Sequence, residues 1–311
     1  MAGWVRAARR TAASIGLVTA LLTTAACTGG DDQAASEHDV SAGQGVIAEA
    51  PVASEADLAA SPTAQAIRAR GTLIIGGDEN LPLLSQRNPI TGSTDGFDAT
   101  LGKMLAKYII GRPNVNIVTT TPETREAMLK TGTVDTVIRI YTITAERAQR
   151  VAFAGPYLLS GQAIATLKGT KGIDDPADLD GKNVLAVAGT TSVTALQQRV
   201  PGAKITTFGT AEECVQALEQ GKGDAYVHDL TVLAGEAQLD AKLQISGQPF
   251  TSEPYGIGLK LEDGSFKRFI NAWLRKIQAD GLWQRAWTQT LGTVVTGEPP
   301  QPPAIGSVPG S

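Results

Sequence analysis

Thr133–Ala165 reads TVDTVIRIYTITAERAQRVAFAGPYLLSGQAIA, and the rest of the chain can be placed around it. Val134–Ile140 alternates apolar with other residues and is rich in β-branched types, which predicts a strand. Tyr141-Thr142-Ile143-Thr144 then offers two hydroxyls and several backbone N–H groups as the chain turns. Thr144, with Arg147 three residues later, has the spacing of a helix N-cap followed by one turn. This arrangement suits an anion: free N–H groups at a helix start point at the ligand, and a guanidinium can grip a carboxylate through two parallel hydrogen bonds. The competing reading is that Thr142 and Thr144 only cap a helix and Arg147 is solvated. Spacing alone does not choose between them.

A family resemblance runs through the same stretch. Thr142, Thr144 and Arg147, followed by Val151-Ala152-Phe153-Ala154-Gly155-Pro156-Tyr157, resemble the motifs of the polar amino-acid family of bacterial extracellular solute-binding proteins. Upstream, Gly96-Phe97-Asp98-Ala99-Thr100-Leu101 resembles that family's G-F-D-x-D-L signature, with Thr100 where a second acid is usual. The resemblance extends from about Ile67 to Leu291 and is nearest to glutamate- and glutamine-binding lipoproteins of actinobacteria. It implies an α/β, two-lobed periplasmic-binding-protein-like fold, two α/β lobes joined by two hinge strands, with a small amino acid held in the cleft.

Composition is compatible with that expectation. A chain of 311 residues, 42% hydrophobic, can bury one or two cores. A net charge of −4 indicates no broad basic face for nucleic acid. The two cysteines and two histidines are scattered, without zinc-type spacing, and no cofactor or metal is implied. Residues 1–27 have the form of a signal peptide: Arg6, Arg9 and Arg10, then the apolar run Ile15–Leu22, then small residues up to Cys27. The apolar run is too short for a lasting membrane span. Thr24-Ala25-Ala26-Cys27 resembles a bacterial lipobox, in which Cys27 is acylated and anchors the mature chain; the alternative is an ordinary secretory signal cleaved near Ala26. Residues 28–61, polar and nearly free of aromatics, are expected to be a disordered tether, with His38 solvated within it. Residues 297–311, with five prolines, are expected to be an unpacked tail.

Between these ends, residues 62–162 are expected to form the first part of lobe 1, 163–250 lobe 2, and 251–296 the second part of lobe 1. Thr72–Ile75 is a short predicted strand whose following loop, Gly76–Asn80, contains Asp78; ligands gather at such strand ends in open α/β sheets. Resemblance makes this loop a wall of the cleft, and the family's aromatics are replaced here by Leu81, Leu83 and Leu84. Asp98–Ile110 shows helical periodicity, as does the segment after Pro122. Arg125 opens that second helix, where the macrodipole disfavours a cation, so either an anion compensates it or it is a surface arginine. In acidic-amino-acid binders of the family, an arginine at this position holds the ligand's side-chain carboxylate.

In lobe 2, the strand Asn183–Val187, then Gly189-Thr190-Thr191-Ser192 and a helix, again form an anion-receiving turn or a plain capped one. Resemblance makes Thr191 a carboxylate contact and Asp229, at the end of strand Gly223–Asp229, the acceptor for an α-ammonium. Asp229 could equally cap the helix after it. His228 reads as a packed strand-end residue and Cys214 as a buried, inert thiol, because the cysteine that resembling proteins carry in the strand here reading Val184-Leu185-Ala186 is absent. The expected ligand set is therefore Arg147, Thr142, Asp229, Thr191 and Arg125, with Asp78, Thr190 and Ile140 beside them. A monomer serving the membrane permease of an ABC importer is expected, or alternatively a sensor lipoprotein signalling through a membrane protein, or a dehydratase-like enzyme on the same fold. The third lacks support in spacing, since neither paired carboxylates with a general-acid setting nor a nucleophile–base pair is evident.

Overall fold

The computed structural model describes residues 43–295 and 298–311. The leader, Cys27 and His38 lie outside them, as does the first part of the expected tether. The rest of that tether is ordered, which corrects the expectation. Residues Gln44–Glu49 form α1 and Glu55–Ala59 form α2, the latter closed by a Ser54–Asp57 capping box. Val46, Ile47 and Leu58 are buried in the main core. A polar average hid them: a few apolar side chains spaced to meet one surface suffice to dock short helices.

α3 (Pro62–Arg70) leads into β1 (Leu73–Gly77). Strands β2 (Asn80–Leu81), β3 (Ser85–Arg87) and β4 (Thr94–Asp95) make a small separate sheet before α4 (Phe97–Ile110). β5 (Val115–Thr119), α5 (Arg125–Thr131) and β6 (Thr136–Val137) follow. The expected strand Val134–Ile140 is thus paired over two residues only. Ile140 turns to a φ of 38°, rare for a β-branched residue, and its N–H is held by Asp98 Oδ2 at 3.1 Å. Tertiary hydrogen bonding here overrides β-propensity and swings Arg139 and Ile140 away from the sheet.

β7 (Ala152–Ser160) runs through Gly161 directly into β8 (Gln162–Leu167). Then come β9 (Asn183–Val187), α6 (Thr191–Arg199), β10 (Lys204–Phe208), α7 (Ala211–Glu219), β11 (Ala225–Asp229), α8 (Leu230–Leu239) and β12 (Leu243–Ser246). β13 (Glu253–Leu259), α9 (Gly264–Ala279) and α10 (Leu282–Gln289) complete the order. One sheet is ordered β5-β1-β6-β13-β7 and the other β10-β9-β11-β8-β12. In each, three adjacent strands pair in parallel, the fourth runs opposite to them, and the fifth, antiparallel to the fourth, runs with the first three. β7 and β13 pair with Ser160 opposite Glu253, so the outgoing and returning chains run side by side between the sheets.

The described residues pack as one unit. Helix α9 buries Phe266, Phe269, Ile270, Trp273, Leu274 and Ile277 along one stripe, and Trp283 of α10 donates to the Tyr157 carbonyl at 2.7 Å. The C-terminal tail also departs from expectation. Pro303 is buried, Ile305 packs on the main core, the Gly306 N–H donates to the Gly155 carbonyl at 2.8 Å, and Val308 joins the cluster of Ile143 and Phe153. Proline prevents strand pairing but does not prevent apolar docking. Cys214 is buried and free, its thiol pushed up to about 12 by burial.

Candidate ligand site

The parallel strands of both sheets end at the same place. Beyond β1, β5 and β6 lie Asp78, Pro122 and Arg139-Ile140; beyond β9 lie Thr190-Thr191, and Asp229 is the last residue of β11. A narrow, nearly closed cavity of about 10 Å³, room for about one water, lies between the two lobes, so the lobes must part to admit anything larger. Lobe 1 lines it with Pro122, Arg125, Arg139, Ile140, Thr142 and Arg147, and lobe 2 with Thr190, Thr191, His228 and Asp229. The groove between Leu83–Asn88 and Gln289–Thr293 contains no buried charged side chain, whereas a wider groove lined by Glu123, Glu126, Arg150 and Gln198 adjoins the site and shares Arg147, Thr190 and Thr191 with it.

Three guanidiniums face this cavity from lobe 1, and they differ in how they are satisfied. Arg139 is ion-paired: its Nε and Nη2 donate to Asp78 Oδ2 at 3.2 and 2.8 Å. Arg147 sits on a short 3-10 turn, Arg147–Gln149, whose N–H donates to Thr144 Oγ1 at 3.1 Å. Its Nη1 donates to the Thr142 carbonyl at 2.9 Å, and its Nη2 crosses the cleft to the Gly189 carbonyl at 3.2 Å. Arg125 has no carboxylate partner among the described residues. It is 2% exposed, its Nη1 makes a 3.4 Å contact with the Arg139 carbonyl, and its Nε has no hydrogen-bond partner. Its guanidinium carbon lies 3.6 Å from the centre of the Tyr141 ring, a cation–π contact. Burial, then the neighbouring Arg147 charge, pulls the Arg125 pKa well below its ordinary value. An anion in the cavity would reverse both penalties.

Lobe 2 supplies the opposite polarity. Asp229 is 3% exposed, and its Oδ1 accepts from Gln162 Nε2 at 2.6 Å. It stands at the N-cap of α8 without capping it by side chain. Burial, with Glu253 nearby, raises its pKa to about 7, while Arg147 and Arg125 oppose the shift. His228 accepts the Asp229 N–H on Nδ1 at 2.7 Å, and burial lowers its pKa to about 3, so it is neutral. At α6, Thr190 occupies the N-cap but donates to the Val187 carbonyl at 2.7 Å, leaving the helix start without a side-chain cap. Those N–H groups are available to a carboxylate.

The fold brings Arg147, Thr142, Asp229, Thr191, Arg125, Thr190 and Ile140 to one cavity. Two expectations need correction. Asp78 does not line it; its carboxylate is taken by Arg139. Leu81 and Leu84 are not cleft-wall residues either: both are buried in the main core, with Leu83 packed against it. In addition, the Thr191 hydroxyl donates to Glu253 Oε2 at 2.8 Å, so its contribution to an anion falls to the backbone. Arg139, Gln162 and Glu253 escaped the sequence reading, which had Asp98 only as part of the Gly96–Leu101 motif. Alternation placed Arg139 within a strand, and nothing in one dimension pairs Gln162 with Asp229, 67 positions away.

An inter-lobe cavity with an arginine on one wall and an aspartate on the other is complementary to an α-amino acid. The sequence profile of bacterial extracellular solute-binding proteins, family 3, matches residues 73–293. The chain belongs to that family. This solute-binding protein is 34% identical over 231 residues to the ABC transporter glutamine-binding protein GlnH of Bacillus subtilis, spanning 74% of this chain and 84% of the relative. It is 33% identical over 234 residues to the glutamate-binding protein GluB of Corynebacterium glutamicum, spanning 71% and 79%. Among solved structures, the ancestral amino-acid-binding protein AncCDT-1, described as a precursor of cyclohexadienyl dehydratase, aligns with a TM-score of 0.67 and 34% identity, over 73% of this chain and 99% of its own. The solute-binding fold, two sheets with a cleft at their strand ends, is thus shared by proteins described as binding amino acids.

Proposed function

We propose that this protein captures an acidic amino acid, glutamate or aspartate, outside the cytoplasm and hands it to the permease of an ABC importer, with glutamine or asparagine bound more weakly. The observation that carries the choice is Arg125: a buried guanidinium with an unpartnered Nε, no carboxylate of its own and two other arginines beside it. In this reading Arg147 and the open N–H groups of α6 take the α-carboxylate, Asp229 takes the α-ammonium, and Arg125 takes the side-chain carboxylate. Charge-assisted bonds in a site shielded from bulk water are the strong ones. A neutral amide can still accept from Arg125 but forfeits the ionic part, so the preference for acid over amide should be about 1–2 kcal/mol. The relatives described as glutamate- and glutamine-binding support this ligand class, and the transporter named for one of them supports the importer.

A thermal-shift screen of the twenty amino acids, followed by calorimetry, tests the ligand. Glutamate or aspartate should stabilise wild type most, and Arg125→Ala should lose glutamate affinity while changing glutamine less. If lysine or arginine stabilises best, or Arg125→Ala keeps the full preference for glutamate, the assignment fails. The protein is further proposed to be a monomer held at the outer face of the membrane by acylated Cys27, as the leader pattern suggests; two acyl chains suffice for stable anchoring. Metabolic labelling with a fatty acid should mark wild type and not Cys27→Ser, and equal labelling of both would rule the anchor out.

A further inference from the structure

The two strands that cross between the lobes do more than connect them. Each places one buried polar side chain directly behind the lobe 2 half of the site: Gln162 at the start of β8, fully buried, and Glu253 at the start of β13, 4% exposed. Neither lines the cavity. They belong to a closed hydrogen-bonded circuit. Gln162 Nε2 donates to Asp229 Oδ1 at 2.6 Å and approaches Thr191 Oγ1 at 3.3 Å. The Thr191 hydroxyl donates to Glu253 Oε2 at 2.8 Å. The Thr251 hydroxyl donates to Glu253 Oε1 at 2.7 Å and accepts the Gln162 backbone N–H at 2.9 Å. Ser192 donates to Gln162 Oε1 at 2.6 Å.

The direction of these bonds follows from the inventory of donors. Glu253 accepts from both threonine hydroxyls, each of which has a single proton to give. The Thr191 oxygen is then an acceptor toward Gln162, which turns the Gln162 NH₂ to the side of Thr191 and Asp229 and its carbonyl to Ser192. The opposite amide orientation would set a carbonyl oxygen against the Asp229 carboxylate. The circuit therefore fixes one oxygen of Asp229 and the rotamer of Thr191 at the mouth of α6. We propose that Gln162 and Glu253, one on each crossing strand, are positioning residues that orient Asp229 and Thr191 for the ligand without touching it. Because both sit on the strands that must bend when the lobes move, the hinge and the ammonium site are parts of one network.

This inference rests on the cleft being the amino-acid site proposed above, and the experiment separates the two. Glutamate binding is measured by calorimetry on wild type, Glu253→Gln and Gln162→Glu from pH 5.5 to 8, with the melting temperature of each. Glu253→Gln keeps the shape but replaces one acceptor by a donor, so the circuit can no longer hold its direction. Affinity should drop at least fivefold with no fall in melting temperature, whereas a merely structural role would lower both. Gln162→Glu sets a second carboxylate against Asp229, whose titratable and charged neighbours are His228 from β11, Glu253 and Tyr255 from β13, and Arg147 and Arg125 from lobe 1. At pH 8 it should bind at least tenfold more weakly than wild type. The ratio to wild type should narrow toward pH 5.5, where a proton restores the missing donor. If wild type binds no amino acid, the cleft reading fails and this inference with it. If wild type binds, and Glu253→Gln stays within twofold of it or the Gln162→Glu ratio is flat across pH, the positioning role alone is overturned.

Discussion

At the scale of single residues, the cavity between the lobes holds unfavourable electrostatics. Asp229 is the clearest case. Burial and Glu253 lift its pKa from 3.8 to about 7, so between those values the folded chain holds a proton that the unfolded chain has released. Stability linked to this group is fully present below about pH 4 and is lost as the pH rises through about 7. Asp229→Asn keeps an oxygen for Gln162 and removes the buried charge. It should therefore be more stable than wild type by on the order of 1–3 kcal/mol at pH 8, with no gain at pH 4, and should lose ligand binding. Chemical denaturation at the two pH values checks this; an equal shift at both would show that Asp229 is not the titrating group. Asp98 behaves similarly, with burial raising it to about 6 although it accepts from the Ile140 N–H and from Tyr157 Oη at 2.9 Å. Its place in the Gly96–Leu101 motif was evident in the sequence. Its task, holding Ile140 in a left-handed turn, was not, because that bond spans 42 positions.

At the scale of elements, the segments outside the two sheets are the least predictable and still contribute to the fold. The tail after Pro303 lies against the segment that carries the site: Gly306 bonds to Gly155, and Val308 packs with Ile143 and Ala148 next to Arg147. Removing residues 304–311 exposes the patch under Ile305 and Val308. Two partly buried aliphatic side chains suggest a loss of about 1–3 kcal/mol. A thermal melt of the truncated chain should shift down accordingly, and an unchanged midpoint would mean that the tail only rests on the surface. Regular elements were more legible. Asn183–Val187 is a strand as its residues suggested, and α7 begins with the capping box of Thr210 and Glu213, a local signal that needs no tertiary partner.

At the scale of the whole molecule, the lobes are closed on each other through glycines that allow close approach. Gly189 adopts a φ of 72° and would place a Cβ 3.0–3.5 Å from Pro122 and Glu123 of the facing lobe. A Cβ at Gly235 of α8 would fall 2.6 Å from the Pro82 carbonyl oxygen, which is backbone and cannot step aside. Gly235→Val should therefore hold the lobes apart. An overpacking cost of about 1–3 kcal/mol converts to a roughly 5- to 150-fold loss of affinity. Small-angle scattering should show no contraction with ligand in the variant, and contraction equal to that of wild type would refute the close-packing account.

The sequence by itself determined the parts written locally: alternating and helical periods, glycine stops, capping pairs, and the Thr142–Arg147 and Gly96–Leu101 motifs that carry the family resemblance. These depend on contacts a few residues apart, or on backbone preferences that residue type sets directly. Tertiary structure alone decided which charges meet. Arg139 finds Asp78 across 61 positions, and Thr191 finds Glu253 across 62. Among the described residues Arg125 is left without a carboxylate partner, because its neighbours on the lobe 1 wall of the cavity are Arg139 and Arg147 rather than an acid. A charge's partner depends on distance in three dimensions and on the loss of water around it. Neither quantity exists until the two sheets have brought their strand ends together.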